Sequence, residues 1–131
     1  MPCSVHALLK GAVIFLHIMS NAQLIDDEYN SIVTELSGQY ENIDPFLLIK
    51  SAMLRRKYPA ENKQHFWFEL QYRDGINTDL KSAHIFNQVG KLPAYHGHNH
   101  FVLDIPANLD TLLSIASDGD IEYVSGEVFP L

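Results

Sequence analysis

Three of the chain's seven histidines alternate within Tyr95-His96-Gly97-His98-Asn99-His100-Phe101. On an extended backbone alternate residues project to the same side, so His96, His98 and His100 would present their imidazoles together. Such a pair or triplet suits Zn²⁺ or another divalent transition ion, with a third ligand of carboxylate or imidazole type drawn from His65, His84 or Asp104. The competing reading follows from the next residues. Phe101, Leu103 and Ile105 alternate with His100, Val102 and Asp104, which puts the apolar set on the core side and turns the imidazoles toward water or a partner. A cupin-type oxygenase would need many more strands, and a glutamate a few residues after the His-x-His pair, which this chain lacks.

Other reaction chemistries find less footing. Cys3 is the single cysteine, so no intramolecular disulfide forms, and no serine sits in a G-x-S-x-G elbow. Neither G-x-G-x-x-G nor G-x-x-x-x-G-K-[ST] occurs, which removes the usual phosphate cradles. His65 or His84 could act with Glu69 or Asp79 as acid and base, but their spacing implies no shared site. Asp118-Gly119-Asp120-Ile121-Glu122 is too short for a calcium loop, and its simplest reading is a helix-to-strand turn with Gly119 left-handed.

Charge is more informative. Sixteen acidic residues against nine basic ones give a net charge of -7, which argues against nucleic acid as a partner because phosphate binding needs a cationic surface. Between Leu92 and Leu131 six carboxylates (Asp104, Asp110, Asp118, Asp120, Glu122, Glu127) stand without any Lys or Arg. Lys50, Arg55, Arg56, Lys57 and Lys63 crowd an earlier segment, where a helix C-terminus accounts for them. The acidic third suggests an anionic surface that steers a basic protein partner, with Asp110, Asp118, Asp120, Glu122 and Tyr123 as its contact residues. The expectation is a non-catalytic binding protein needing no cofactor, of the kind an immunity protein or antitoxin represents when it covers a toxin. A metal-dependent or metal-binding protein built on His96, His98 and His100 is the second reading, and self-association through a free sheet edge, giving a homo-oligomer, is the third.

These residues need a scaffold. At 131 residues the chain suits one domain, and no repeat or linker divides it. Helices are predicted over 21–37 with a Ser20/Gln23 capping box and Gly38 at its end, from Asp44-Pro45 to Tyr58 as a mostly buried helix, over 79–89 between Asn77 and Gly90, and after Asn108 through Ala116. In the third of these, Leu80, Ala83, His84 and Phe86 are the expected inward contacts. Strands are predicted over 65–72, where Phe66, Phe68, Leu70 and Tyr72 alternate with Trp67, Glu69 and Gln71, over 100–105, and near 121–124. The fold class is therefore α+β, in the order α-α-β-α-β-α-β, with a three- or four-stranded sheet packed against helices.

Residues 1–18 admit three readings: a signal-like leader ending near Ala22, an over-extended start before Met19, or a buried strand, with 19–131 forming the globular domain. No membrane span is expected, because Lys10 and His17 interrupt the only long apolar run. A cytoplasmic setting is expected, or a secreted or periplasmic one if residues 1–22 are a signal.

Overall fold

A central strand whose inner face is apolar after its first residue, Gln64, organises the sheet. The computed structural model describes residues 21–131, and the expectations for the leader, Cys3 and the Ser20 cap lie outside them. The chain divides into two compact units, residues 1–35 and 36–131. Helix α1 (Asn21–Gln39) runs past Gly38, which does not end it, and no described residue of α1 is buried. The second unit carries α2 (Pro45–Lys57), β1 (Gln64–Tyr72), α3 (Thr78–Val89), β2 (Ala94–Tyr95), β3 (His100–Ala107), α4 (Leu109–Ala116) and β4 (Ile121–Phe129). No helix among the described residues is long and apolar enough to cross a membrane.

The strands form one antiparallel sheet in the order β2-β3-β1-β4. The α+β class and the approximate element order stand as expected. Two details differ: a two-residue strand, β2, forms where a loop is predicted, and β4 continues five residues beyond Val124. The strands around α4 run the same way, but β1 lies between them, so no adjacent parallel pair forms.

Phe66, Phe68, Leu70 and Tyr72 point inward from β1 and meet Phe101, Leu103, Ile105 and Ala107 from β3 and Val124 and Val128 from β4, all buried. Burial of each large side chain contributes about 1.5–3 kcal/mol. The helices complete this layer through Leu47 and Leu48 of α2, Ile85 of α3, and Leu112, Ile115 and Ala116 of α4. The buried Ser51 hydroxyl donates to Gln64 Oε1 at 2.7 Å and Gln64 Nε2 donates to the Ser51 carbonyl at 2.9 Å, which ties α2 to the start of β1.

The local signals for the ends of α2, α3 and α4 hold. Asp44 and Asn108 cap α2 and α4, Asn77 opens α3, and Gly90 closes α3 in the left-handed region. The predicted faces hold less well. In α2, Phe46 and Met53 are exposed, so that helix is half-buried. In α3 the inward stripe is Lys81, Ile85 and Val89, whereas Leu80, Ala83, His84 and Phe86 face solvent. The helix turns this way so that Lys81 reaches Asp118 and Asp120. Gly119 is not left-handed. Its turn is held instead by the Asp118 side chain, which accepts from Asp120 N at 2.9 Å.

Gly126 is the position where backbone freedom matters most. Its φ is 141°, and a Cβ there would stand 1.8 Å from the Trp67 carbonyl oxygen. Gly126→Ala is expected to destabilise the domain by about 3 kcal/mol, measured as a shift in denaturant midpoint. A midpoint equal to that of the wild type would show that β1 and β4 approach less closely.

Candidate functional site

Because side chains alternate along a strand, the residues between the core positions all emerge on the opposite face. In register, that face reads Pro106, His65, Phe129, then Asp104, Trp67, Glu127, then Val102, Glu69, Ser125, then His100, Gln71, Tyr123. Trp67 is 43% exposed, Tyr123 40% and Phe129 45%, so this face meets solvent with three large rings on it. Trp67 lies directly between Asp104 and Glu127, with Glu69 two residues along on the same side. Burial and then the charge of Asp44 push the Tyr123 phenol up from its ordinary value.

Each histidine of the face meets a carboxylate. His65 Nε2 contacts Asp104 Oδ1, and the His65 ring stands 6.4 Å from that of Phe129. His100 Nε2 lies 3.4 Å from Glu69 Oε1, while its Nδ1 is 3.4 Å from Gln71 Oε1. Of the residues considered for acid and base, His65 thus goes with Asp104 and Glu69 with His100, and His65 and Glu69 do not pair with each other. His65 and Glu69 are separated by four residues along β1, about 13 Å, so the two pairs serve different ends of the face. The clearest concavities lie elsewhere. One of about 540 Å³ runs between Arg55 and Arg56 and the start of α4, and one of about 400 Å³ lies beside Arg73, Leu80 and His84.

The histidine triplet does not lie on an extended backbone. Gly97, His98 and Asn99 have φ of 84°, 52° and 59°, and form the turn between β2 and β3. His100 N donates to the Gly97 carbonyl at 3.0 Å, closing that turn. His96 and His100 approach edge to face with ring centres 6.1 Å apart, and His98 sits apart at the turn. The alternation rule fails here because three successive left-handed residues rotate the side chains out of phase. Among the described residues no group of three or more His, Cys, Asp or Glu side chains is placed to share a metal ion.

The acidic residues singled out from sequence are dispersed. Lys81 Nζ binds Asp118 at 2.8 Å and Asp120 at 2.7 Å, and Arg73 Nε donates to Asp120 at 2.5 Å. These two carboxylates are therefore neutralised within the molecule. Hydrogen bonds to Asp118 and Asp120 raise the Lys81 ammonium above its usual range, and those from Lys81 and then Arg73 hold Asp120 below the usual carboxylate range. Burial, with the Asp118 charge next, pushes the Tyr72 phenol beneath Lys81 up to about 12. Asp110 lies in the first turn of α4, beside Arg55 and Arg56, and Glu122 is the exposed extra residue of a bulge in β4. Only Tyr123 of the five stands on the open face. Glu127 and Phe129 were missed as site residues because the continuation of β4 to Phe129 carries no clear period-two signal, and Trp67, placed on the right face by the alternation of β1, was not singled out because its neighbours Asp104 and Glu127 come only from strand pairing.

The Lys81 cluster gives a signed pH prediction. Asp120 titrates lower in the folded chain, so its contribution is complete above 3.8 and is lost as pH falls below that value. Lys81 titrates higher, so its contribution is complete below 10.5 and is lost as pH rises past it. Lys81→Met is expected to lower the melting temperature at neutral pH and to flatten both limbs of its pH dependence. Thermal scans parallel to wild type at every pH would contradict this.

Comparison of the chain with protein-family models, with curated proteins and with solved structures finds no match, so any function is argued from this geometry alone.

Proposed function

We propose that this is a non-catalytic binding protein whose open sheet face docks a basic protein partner, in the manner of an immunity protein or antitoxin covering a toxin. The observation that carries the reading is Trp67, 43% exposed at the middle of that face and flanked by Asp104 and Glu127. A large ring held on a rigid strand loses little entropy on contact, and tryptophan is among the residues that dominate interface energetics. Carboxylates around it add complementarity to a cationic surface, and the net charge of -7 favours encounter with such a partner.

The anionic contribution thereby moves from Asp118 and Asp120, which Lys81 occupies, to Glu69, Asp104 and Glu127. The same three carboxylates oppose face-to-face pairing of two copies, since like charges would meet across the interface. The alternative reading, a metal-binding protein built on His96, His98 and His100, has the His96–His100 ring contact as its support.

Immobilised chain is expected to capture a basic protein with affinity that falls as salt is raised. Trp67→Ala should weaken that affinity by about tenfold or more, and Glu69→Gln with Glu127→Gln should reduce its salt dependence. Equal capture by wild type and both variants, measured by surface plasmon resonance, would sink the proposal.

A further inference from the structure

We infer that the anchor received by this face is a guanidinium, an arginine side chain of the partner laid flat on the Trp67 indole with its N–H groups turned to the neighbouring carboxylates. The inference rests on the docking reading above and names the chemistry of its contact. The molecule already uses the same arrangement twice. Lys50 Nζ stands 5.0 Å over the Phe129 ring and 3.3 Å from Glu127, and Lys81 Nζ stands 5.7 Å over the Tyr72 ring with Asp118 and Asp120 within 2.8 Å. Trp67 has the same surroundings, Asp104 and Glu127 opposite and Glu69 along the strand, yet among the described residues no cation lies over it. A ring face with carboxylates beside it attracts a cation by quadrupole and charge together.

The carboxylates are free to turn. Glu127 is 62% exposed and shares only the exposed Lys50, and Glu69 is 44% exposed at 3.4 Å from His100. Exposed pairs of this kind contribute little, so a better-placed donor redirects them. Asp104, held by His65, stays as a fixed negative charge beside the ring.

The flatness of the face selects arginine over lysine. An ammonium is compact and strongly hydrated, a point charge that stands over a ring without covering it. A guanidinium is planar, weakly hydrated and carries five donors in a fork, so it covers a single ring while reaching carboxylates on more than one side. The other occupants of an exposed face fit less well. A second copy would bring carboxylates against carboxylates, and a nucleic acid would bring phosphates.

The chain's single tryptophan makes the test direct, because fluorescence excited at the red edge of the absorption band, beyond the tyrosines, reports Trp67 alone. The protein is titrated with a capped tetra-arginine peptide and with a capped tetra-lysine peptide of equal charge. The arginine peptide is expected to change the emission saturably, with an apparent Kd about fivefold or more below that of the lysine peptide. Glu69→Gln with Glu127→Gln should raise the arginine Kd by about tenfold, with the emission spectrum before titration unchanged as the sign of an intact fold. Equal responses to the two peptides would overturn the guanidinium anchor while leaving the docking face in place. Silence toward both, with a basic protein still captured, would also overturn it. Silence toward both with no capture would remove the docking reading as well.

Discussion

The structure depends on β1, the strand paired on both sides, whose inner face is Phe66, Phe68, Leu70 and Tyr72. With a period of two, a slip of one residue would send Trp67, Glu69 and Gln71 into the core and four large apolar groups to water, so register and face are set together. β3 and β4 inherit this parity through their pairing with β1. Helices α2, α3 and α4 follow, since their buried residues pack on the inner side of the sheet.

The second consequence is an open face that carries the charged residues of β1 and β3 together with Glu127, Trp67, Tyr123 and Phe129, while Gln64 and Tyr72 stay on the inner side. Its edges are less available than its surface. On β3, Lys91 donates to the outer carbonyl of Asp104 at 2.6 Å, and Pro106 has no N–H to offer. On β4, Val124 exchanges backbone hydrogen bonds with Asn42 and Asp44, at 2.7 and 2.8 Å. These are the means by which proteins blunt sheet edges, and they favour contact across the face over strand addition. The binding reading agrees with this, because it uses side chains standing off the sheet.

Charge is arranged in two different ways. Around Lys81 the carboxylates are spent on holding the end of β1, the start of β4 and α3 together. On the open face Glu127 meets the exposed Lys50 and Glu69 meets His100, contacts that bind them loosely, while His65 holds Asp104 in place. The difference between a structural and an interactive acidic residue lies in this partnership, which net charge does not reveal.

The sequence by itself determined the class of fold, most element positions and the ends of α2, α3 and α4, because caps such as Asp44, Asn77, Asn108 and Gly90 act through bonds to residues two to four positions away. It also determined which residues of β1 share a face, since that is a property of one strand. The tertiary structure alone decided that Asp118 and Asp120 are consumed by Lys81, that Leu80 and Phe86 face outward, and that His98 sits in a left-handed turn. It alone placed Asp104 and Glu127, 37 and 60 residues beyond Trp67 in the chain, on either side of that ring. The physical reason is range: capping and alternation are local, whereas the neighbours of a charge or a ring are chosen by strand pairing and by which helix face the core accepts.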